Sequence, residues 1–271
     1  MSRISNASSS ASGAQGLHRA VQILREVSTR ERQGARLVDI ADALTLERPT
    51  AHRILKALLN EGLLRQDADT QRYHLGAQVY ELGLCVSPRF HLRDICAPLL
   101  ARLASETGDS IYLVVRSGFD IVCLSHMEGS FPIRTTTLVG GGRRPLGVGA
   151  GSLALLMTFD DAEIDHIIEV NAARFARFGA QTPARLRAAI ERSRAQGYAV
   201  NDEDVLPGVS AIGMVIAQPG SQPYAAVSIA AISSRMQGER REALAQSLRK
   251  EVEAFAPAAA AVAPFWNARD S

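Results

Sequence analysis

The sequence predicts an α+β protein in two parts: a small winged helix-turn-helix head, and a larger body built on an antiparallel sheet. Three observations carry this prediction. Residues 37–63, LVDIADALTLERPTAHRILKALLNEGL, have the period of two short amphipathic helices joined by a tight turn. A polar tip, Gln66 to Gln71, follows between two short runs and has the composition of a β-hairpin. Beyond residue 90, long helical periods are mixed with apolar strand-like runs paired across turn formers.

Taken in order, residues 1–16 are rich in Ser, Gly and Ala and predict a disordered tail with no apolar signal-peptide core. A helix is expected from Leu17, because Leu17, Ala20, Val21, Leu24 and Val27 recur at three- and four-residue steps. Leu37–Leu44 gives the next helix, and Thr45-Leu46-Glu47 the turn. Glu47–Glu61 gives the third, with Pro49 in the first turn, where a missing N–H costs little, and Gly62 past its end. The head is thus placed at residues 17–75, and a linker helix, centred on GAQVYELGLCV, at residues 76–90.

The body, residues 91–257, opens with an amphipathic helix from His91 to Thr107. Strands are expected at Ser110–Arg116, Ile121–Met127 and Phe131–Val139, and a loop at Gly140–Pro145. Helices follow from about Gly149 to Met157, Asp161 to Val170 and Thr182 to Gln196, the last stopped by Gly197. Two further strands, Ser210–Ala217 and Tyr224–Ile232, precede a closing helix, Glu239–Phe255. Residues 258–271 are expected to fray.

Composition narrows the function. At 46% hydrophobic and 21% charged residues, the 271-residue chain has a globular profile. Net charge is only +2, but residues 1–75 hold 11 basic and 8 acidic residues, a net +3, leaving 19 and 20, a net −1, for the rest. A mildly basic head on a near-neutral body follows. Cys85, Cys96 and Cys123 are odd in number and show no CxxC spacing, so neither a disulfide framework nor a zinc site is expected, and a reducing, cytoplasmic setting fits. No apolar run is long enough to span a bilayer.

The chemistry sits in the third helix. At about 100° per residue, Ala51, Ile54, Leu55, Leu58 and Leu59 share one face, and His52, Arg53, Lys56 and Asn60 the other. A helix fits the major groove, and Arg or Lys can donate to guanine edges or to phosphates. Arg48, Thr50, His52, Arg53 and Lys56 are therefore the candidate DNA-contacting residues, with Arg72 of the wing reaching neighbouring phosphates. The same pattern also suits a solvated helix face or a protein-binding winged domain. One module buries little surface, so a dimer on paired half-sites of double-stranded DNA is expected.

Other motifs are weaker. GGGRRPLGVGAGS (residues 140–152) lacks the lysine of a Walker loop and the βαβ setting of a dinucleotide fingerprint. Glycines in a helix's first turn would let a small ligand approach closely, or would serve close packing of that helix on the sheet. Asn201-Asp202-Glu203-Asp204 is acidic, but adjacent residues cannot converge on one metal ion, and no metal or cofactor is expected. His91, His126 and His166 are isolated, and no GxSxG elbow exists, so an enzyme is the weaker class.

An ordered set of segments resembles IclR-type bacterial transcriptional regulators over about residues 17–257. They are Leu37–Ala41, Pro49–Leu55, Glu61-Gly62, Tyr73–Gly76, Arg143–Gly151, Gly197–Glu203, Pro207–Val209 and Ala226–Ile229. The resemblance implies a winged helix-turn-helix, a linker helix and a GAF-like effector-binding domain. It also implies homodimers or dimers of dimers, and a small organic acid or aromatic effector. It places the effector against Ala150 and Gly151, with Asn201, Ala211, Ser228 and Ala230 completing the site. Similar proteins that bind small keto acids carry Asp at the position of Asn201, Cys at that of Ala211, and Ser-x-Ser where this chain has Ser228-Ile229-Ala230. Fewer polar partners disfavour a tiny polar ligand, whose oxygens would stay unpaired, and favour a larger, partly apolar one. A histidine common in relatives is Gly147 here, which is expected to leave more room if it faces the pocket. The resulting expectation is an effector-responsive, DNA-binding regulator of a catabolic operon. The alternatives are a small-molecule hydrolase or isomerase with a helical head, and a protein-interaction adaptor.

Overall fold

In the computed structural model, which describes residues 7–30, 33–86, 91–179, 181–218 and 220–267, the chain forms two compact units, Met1–Pro88 and Arg89–Ser271.

The first unit is organised by the apolar periods of its helices. Helix α1 (Ala7–Ser28) buries Ile23 and Val27 against Ile40 of α2 (Leu37–Ala43) and Leu55 and Leu58 of α3 (Arg48–Asn60). Strands β1 (Leu64–Gln66) and β2 (Tyr73–Leu75) close this core with Leu64 and Tyr73. They pair antiparallel with Leu64 opposite Leu75, and Tyr73 also bridges Ala35. The hairpin tip is held by Asp67, whose Oδ1 accepts from both the Thr70 amide and its hydroxyl at 2.7 Å. Gly76 has to be glycine: a Cβ there would lie 2.0 Å from the Gly62 carbonyl oxygen. Helix α4 (Ala77–Val86) follows and buries none of its residues.

Helix α1 starts ten residues before the Leu17 expected from the sequence, so the tail predicted for residues 1–16 is helical from Ala7. The segment holds no proline, several alanines and no β-branched residue, so a helix nucleated by the packed Leu17–Val27 turns extends at one hydrogen bond per residue. Residues 1–6 lie outside the described residues.

The second unit is an antiparallel sheet in the order β5-β4-β3-β8-β7-β6. Its strands are β3 (Ser110–Ser117), β4 (Asp120–Met127), β5 (Arg143–Pro145), β6 (Ala199–Asp202), β7 (Val209–Val215) and β8 (Ala225–Ile232). Both faces are covered. Ile111, Leu113 and Val115 of β3 join Val227 and Ile229 of β8 in a core with α5 (Leu92–Thr107) and α9 (Gly238–Asn267). The alternate residue Val114 faces the other way, with Ile121 and Ala226, toward α6 (Ala150–Leu156), α7 (Asp161–Phe175) and α8 (Pro183–Gln196). Helix α6 lies directly on β7, where a Cβ on Gly213 would come within 2.5 Å of the Ala150 carbonyl oxygen.

Three expectations fail here. Phe131–Val139 is not a strand; its polar groups turn instead to Tyr112, whose hydroxyl donates to the Thr135 carbonyl at 2.5 Å and accepts from the Thr137 amide at 3.2 Å. The edge place goes to β5, inside the segment expected to be a loop, with Ile121 opposite Arg144. Of the tail expected to fray from residue 258, residues 258–267 are instead part of α9, and residues 268–271 lie outside the described residues. Its alanines favour helix, Ala259 and Val262 are buried, and the Tyr224 hydroxyl donates to the Ala259 carbonyl at 2.7 Å. Helix α7 also runs past Val170 to Phe175, because Asn171 and Phe175 are buried.

Candidate DNA-reading helix and ligand cavity

Helix α3 sorts its side chains as its period requires. Ala51, Leu55 and Leu58 are buried, Thr50 is half-buried, and Arg48, His52, Arg53 and Lys56 are exposed. Among the described residues, Arg48, Arg53 and Lys56 have no ion-pair or hydrogen-bond partner for their side chains, so their donors face solvent uncommitted. Arg72 differs. Its Nη1 donates to the carbonyls of Gln33 at 3.2 Å and Gly34 at 3.0 Å, tying the wing to the turn after α1. Its predicted phosphate contact competes with that brace.

In the body, Ala150, Gly151, Asn201, Ala211, Ser228 and Ala230 all line one cavity of about 50 Å³. Cross-strand register brings them together: Asn201 lies opposite Ala211, and Ala211 opposite Ala230, a row across β6, β7 and β8. Ser228 pairs in register with Tyr112 of β3. Gly151 closes the cavity from α6, so near that a Cβ would lie 3.0 Å from Val114 Cγ2 and 3.4 Å from Ser228 Oγ. Val148, Val205, Leu206 and Val209 give the walls an apolar character. Leu206, 45% exposed, lines the cavity from its loop.

The acidic run after Asn201 has packing duties. Asn201 Nδ2 donates to Asp204 Oδ2 at 3.5 Å, and burial pushes the Asp204 carboxyl above its ordinary value, with Arg185 opposing. Gly147 does not widen the cavity. It has φ +105°, and a Cβ there would lie 2.6 Å from Leu186 Cδ2, so the space without a side chain is filled by α8. His126 stacks on Tyr112 at 4.6 Å between centroids, and His166 meets Phe119 edge-on at 5.3 Å. Among the described residues no group of three His, Cys, Asp or Glu is placed to hold a metal, and no helix is long and apolar enough to cross a membrane.

Sequence reasoning missed Arg144. It lines the cavity, donates through Nη2 to the Thr137 carbonyl, and lies 5.9 Å from the Phe178 ring centre. Burial pulls its guanidinium below the ordinary arginine value. The signal would have been strand alternation at residues 143–145, which a run of glycines before two arginines conceals.

Comparison with known proteins places both units. The model of the IclR helix-turn-helix domain matches residues 16–68, and that of the bacterial transcriptional regulator IclR C-terminal domain matches residues 86–256. The chain belongs to the IclR family. It is 30% identical over 237 residues to the HTH-type transcriptional repressor AllR of Salmonella typhi, covering 84% of each chain. To the HTH-type transcriptional regulator BhcR of Paracoccus denitrificans it is 28% identical, covering 87% of this chain and 84% of the relative. An IclR transcriptional regulator from Alicyclobacillus acidocaldarius shares the fold with a TM-score of 0.71 at 20% identity, over 90% of this chain and 98% of that one. So does an IclR homolog from Microbacterium hydrocarbonoxydans complexed with 4-hydroxybenzoate, with a TM-score of 0.68 at 22% identity, over 90% and 99%. This IclR-family chain is thus a DNA-binding transcriptional regulator rather than an enzyme, with a helix-turn-helix head and a C-terminal effector domain.

Proposed function

We propose that this IclR-family regulator binds a small organic acid or aromatic effector in the cavity beside Gly151 and so alters its hold on DNA. The observation that carries the reading is convergence: six positions from four separate elements meet around one space with an apolar wall. Arg48, Thr50, His52, Arg53 and Lys56 are the DNA-contacting residues, Arg72 assisting only when its brace releases. The head ends near Leu75, α4 serves as linker, and the effector domain begins near His91. The regulator acts in the cytoplasm, on a catabolic operon, as a homodimer or a dimer of dimers. Tyr80, Leu82, Leu84 and Val86, all at least 46% exposed on α4, support self-association through that helix. The effector acts by its difference in affinity between two arrangements of paired heads, and DNA must change effector affinity by the same factor.

The test uses melting temperature, since a ligand that binds only the folded state raises it. Full-length protein is screened with small carboxylates and phenolics, 4-hydroxybenzoate among them, beside the Gly151→Val variant. At least one compound should stabilise the wild type and leave the variant unmoved. Micromolar affinity for glyoxylate or pyruvate would count against the larger, partly apolar effector. Equal stabilisation of wild type and variant would remove the cavity from consideration.

A further inference from the structure

Arg143 and Arg144 are neighbours on β5, so their side chains leave opposite faces of the strand. Arg143 finds acids and hydroxyls: its Nη2 lies 3.1 Å from Asp120 Oδ2 and 3.2 Å from Ser117 Oγ. Arg144 enters the cavity instead. Among the described residues lining that space it is the sole charged one, and no carboxylate pairs with it. Its one hydrogen bond goes to a neutral carbonyl, that of Thr137. Guanidinium carries five donors and keeps its proton in proteins, so most of its donors here lack a partner. The side chain is part-buried and its remaining donors open into the cavity, so a ligand that enters can supply the counter-charge they lack.

We infer that Arg144 reads the charge of the effector, and that the effector is a monocarboxylate with an apolar or aromatic body, whose carboxylate takes the guanidinium from the Thr137 carbonyl. The inference rests on the proposed reading of this cavity as the effector site. A single cation matches a single carboxylate; a second would find only neutral groups in the lining. The fork of an arginine suits two parallel bonds to a carboxylate. The exchange also reaches the segment around Thr135 and Thr137. Thr135 Oγ1 donates to the Ala230 carbonyl at 3.1 Å, Tyr112 holds both threonines, and Glu128 accepts from Arg134 and Thr136, so Arg144 is one of several ties on that segment. Ligand entry removes one tie and leaves the others.

The experiment pairs acids with their primary amides: benzoate, 4-hydroxybenzoate, 3-phenylpropionate and hexanoate, each beside its neutral amide. Thermal shift and calorimetry are run on full-length wild type, Arg144→Gln, Arg144→Met and Gly151→Val. Glutamine can still donate to Thr137 but carries no charge, which separates charge reading from support of the segment. One or more acids should bind the wild type, their amides about 10- to 100-fold more weakly, and both Arg144 variants should lose the preference. Without ligand, Arg144→Met should melt no lower than wild type, because the part-buried guanidinium has no ion pair to lose. Hydrogen exchange at residues 136–139 should change on acid binding in the wild type alone.

An acid lost by Gly151→Val but kept by Arg144→Gln overturns the role of Arg144 while leaving the cavity reading intact. An acid that stabilises all four proteins alike binds elsewhere, and then the cavity reading itself fails. Amides that bind as well as acids, or no acid acting on the wild type, overturn the charge assignment. A lower melting point for Arg144→Met without ligand makes the Thr137 bond structural and overturns it too.

Discussion

Arg53 and Arg72 carry the same charge in the same small domain, yet their surroundings give them different work. Arg53 is exposed on α3, and among the described residues its guanidinium has no partner. Arg72 spends its donors on Gln33 and Gly34. Replacing each with alanine should therefore separate binding from stability. Arg53→Ala should weaken operator binding by about 1–3 kcal/mol if it reads a base edge, with melting temperature unchanged. Arg72→Ala should lower the melting temperature, removing on the order of 1 kcal/mol of hydrogen bonding to a part-buried wing, whatever it does to DNA. Gel shift and thermal melts of the two variants decide it; an Arg53→Ala protein with wild-type DNA affinity would dismiss Arg53 as a contact.

At the scale of elements, α4 makes the sharper prediction. It is apolar along its length and buries nothing. Cys85 lies on it, exposed, while Cys96 and Cys123 are buried. Burial pushes their thiols up to about 12 and about 11, so at pH 8 both stay protonated and inert, and Cys85 alone reports. The same shifts set a sign. Unfolded thiols ionise near 8.5, so between that pH and about 11 the unfolded chain loses protons that the folded one keeps, and stability falls as pH rises. If α4 pairs with a second copy, Cys85 alkylation at pH 8 should slow as protein concentration rises, and Leu84→Glu should abolish that dependence. Concentration-independent alkylation of the wild type would sink the α4 face. Elements with long, clean periods, such as α3, α5 and α8, were legible in the sequence, because an apolar stripe needs no knowledge of its partner. Strands β3, β4, β7 and β8 were legible as apolar runs for the same reason. The three-residue β5 and four-residue β6 were not, since each exists only through pairing with a longer neighbour. Residues 131–139 have strand-like composition but give their hydrogen bonds to Tyr112, a long-range choice. The residues proposed for the ligand site were carried by motif, and the structure gathers them around one cavity. Arg144 was not, because its direction depends on the β5 register.

For the whole molecule, the decisive quantity is how many phosphates one head can neutralise. Arg48, Arg53 and Lys56 are three uncommitted cations on one short helix. Each phosphate contact contributes about −0.9 to the slope of log affinity against log salt, so these three alone give a single head a slope of roughly −3. Specific sites at physiological salt need more surface than one module buries. The proposed dimer doubles both terms, but only when its two heads face the same side of the duplex. Half-sites one helical turn apart satisfy this, and about five extra base pairs rotate one half-site to the far side. Anisotropy on an operator fragment should therefore give a slope near twice the single-head value. A fragment lengthened by half a turn should fall back toward the single-head slope and to non-specific affinity. Adding a full turn should recover much of the loss. Equal affinity on all three spacings would mean that each head binds alone, and the effector could then act on DNA binding only through the head of its own chain.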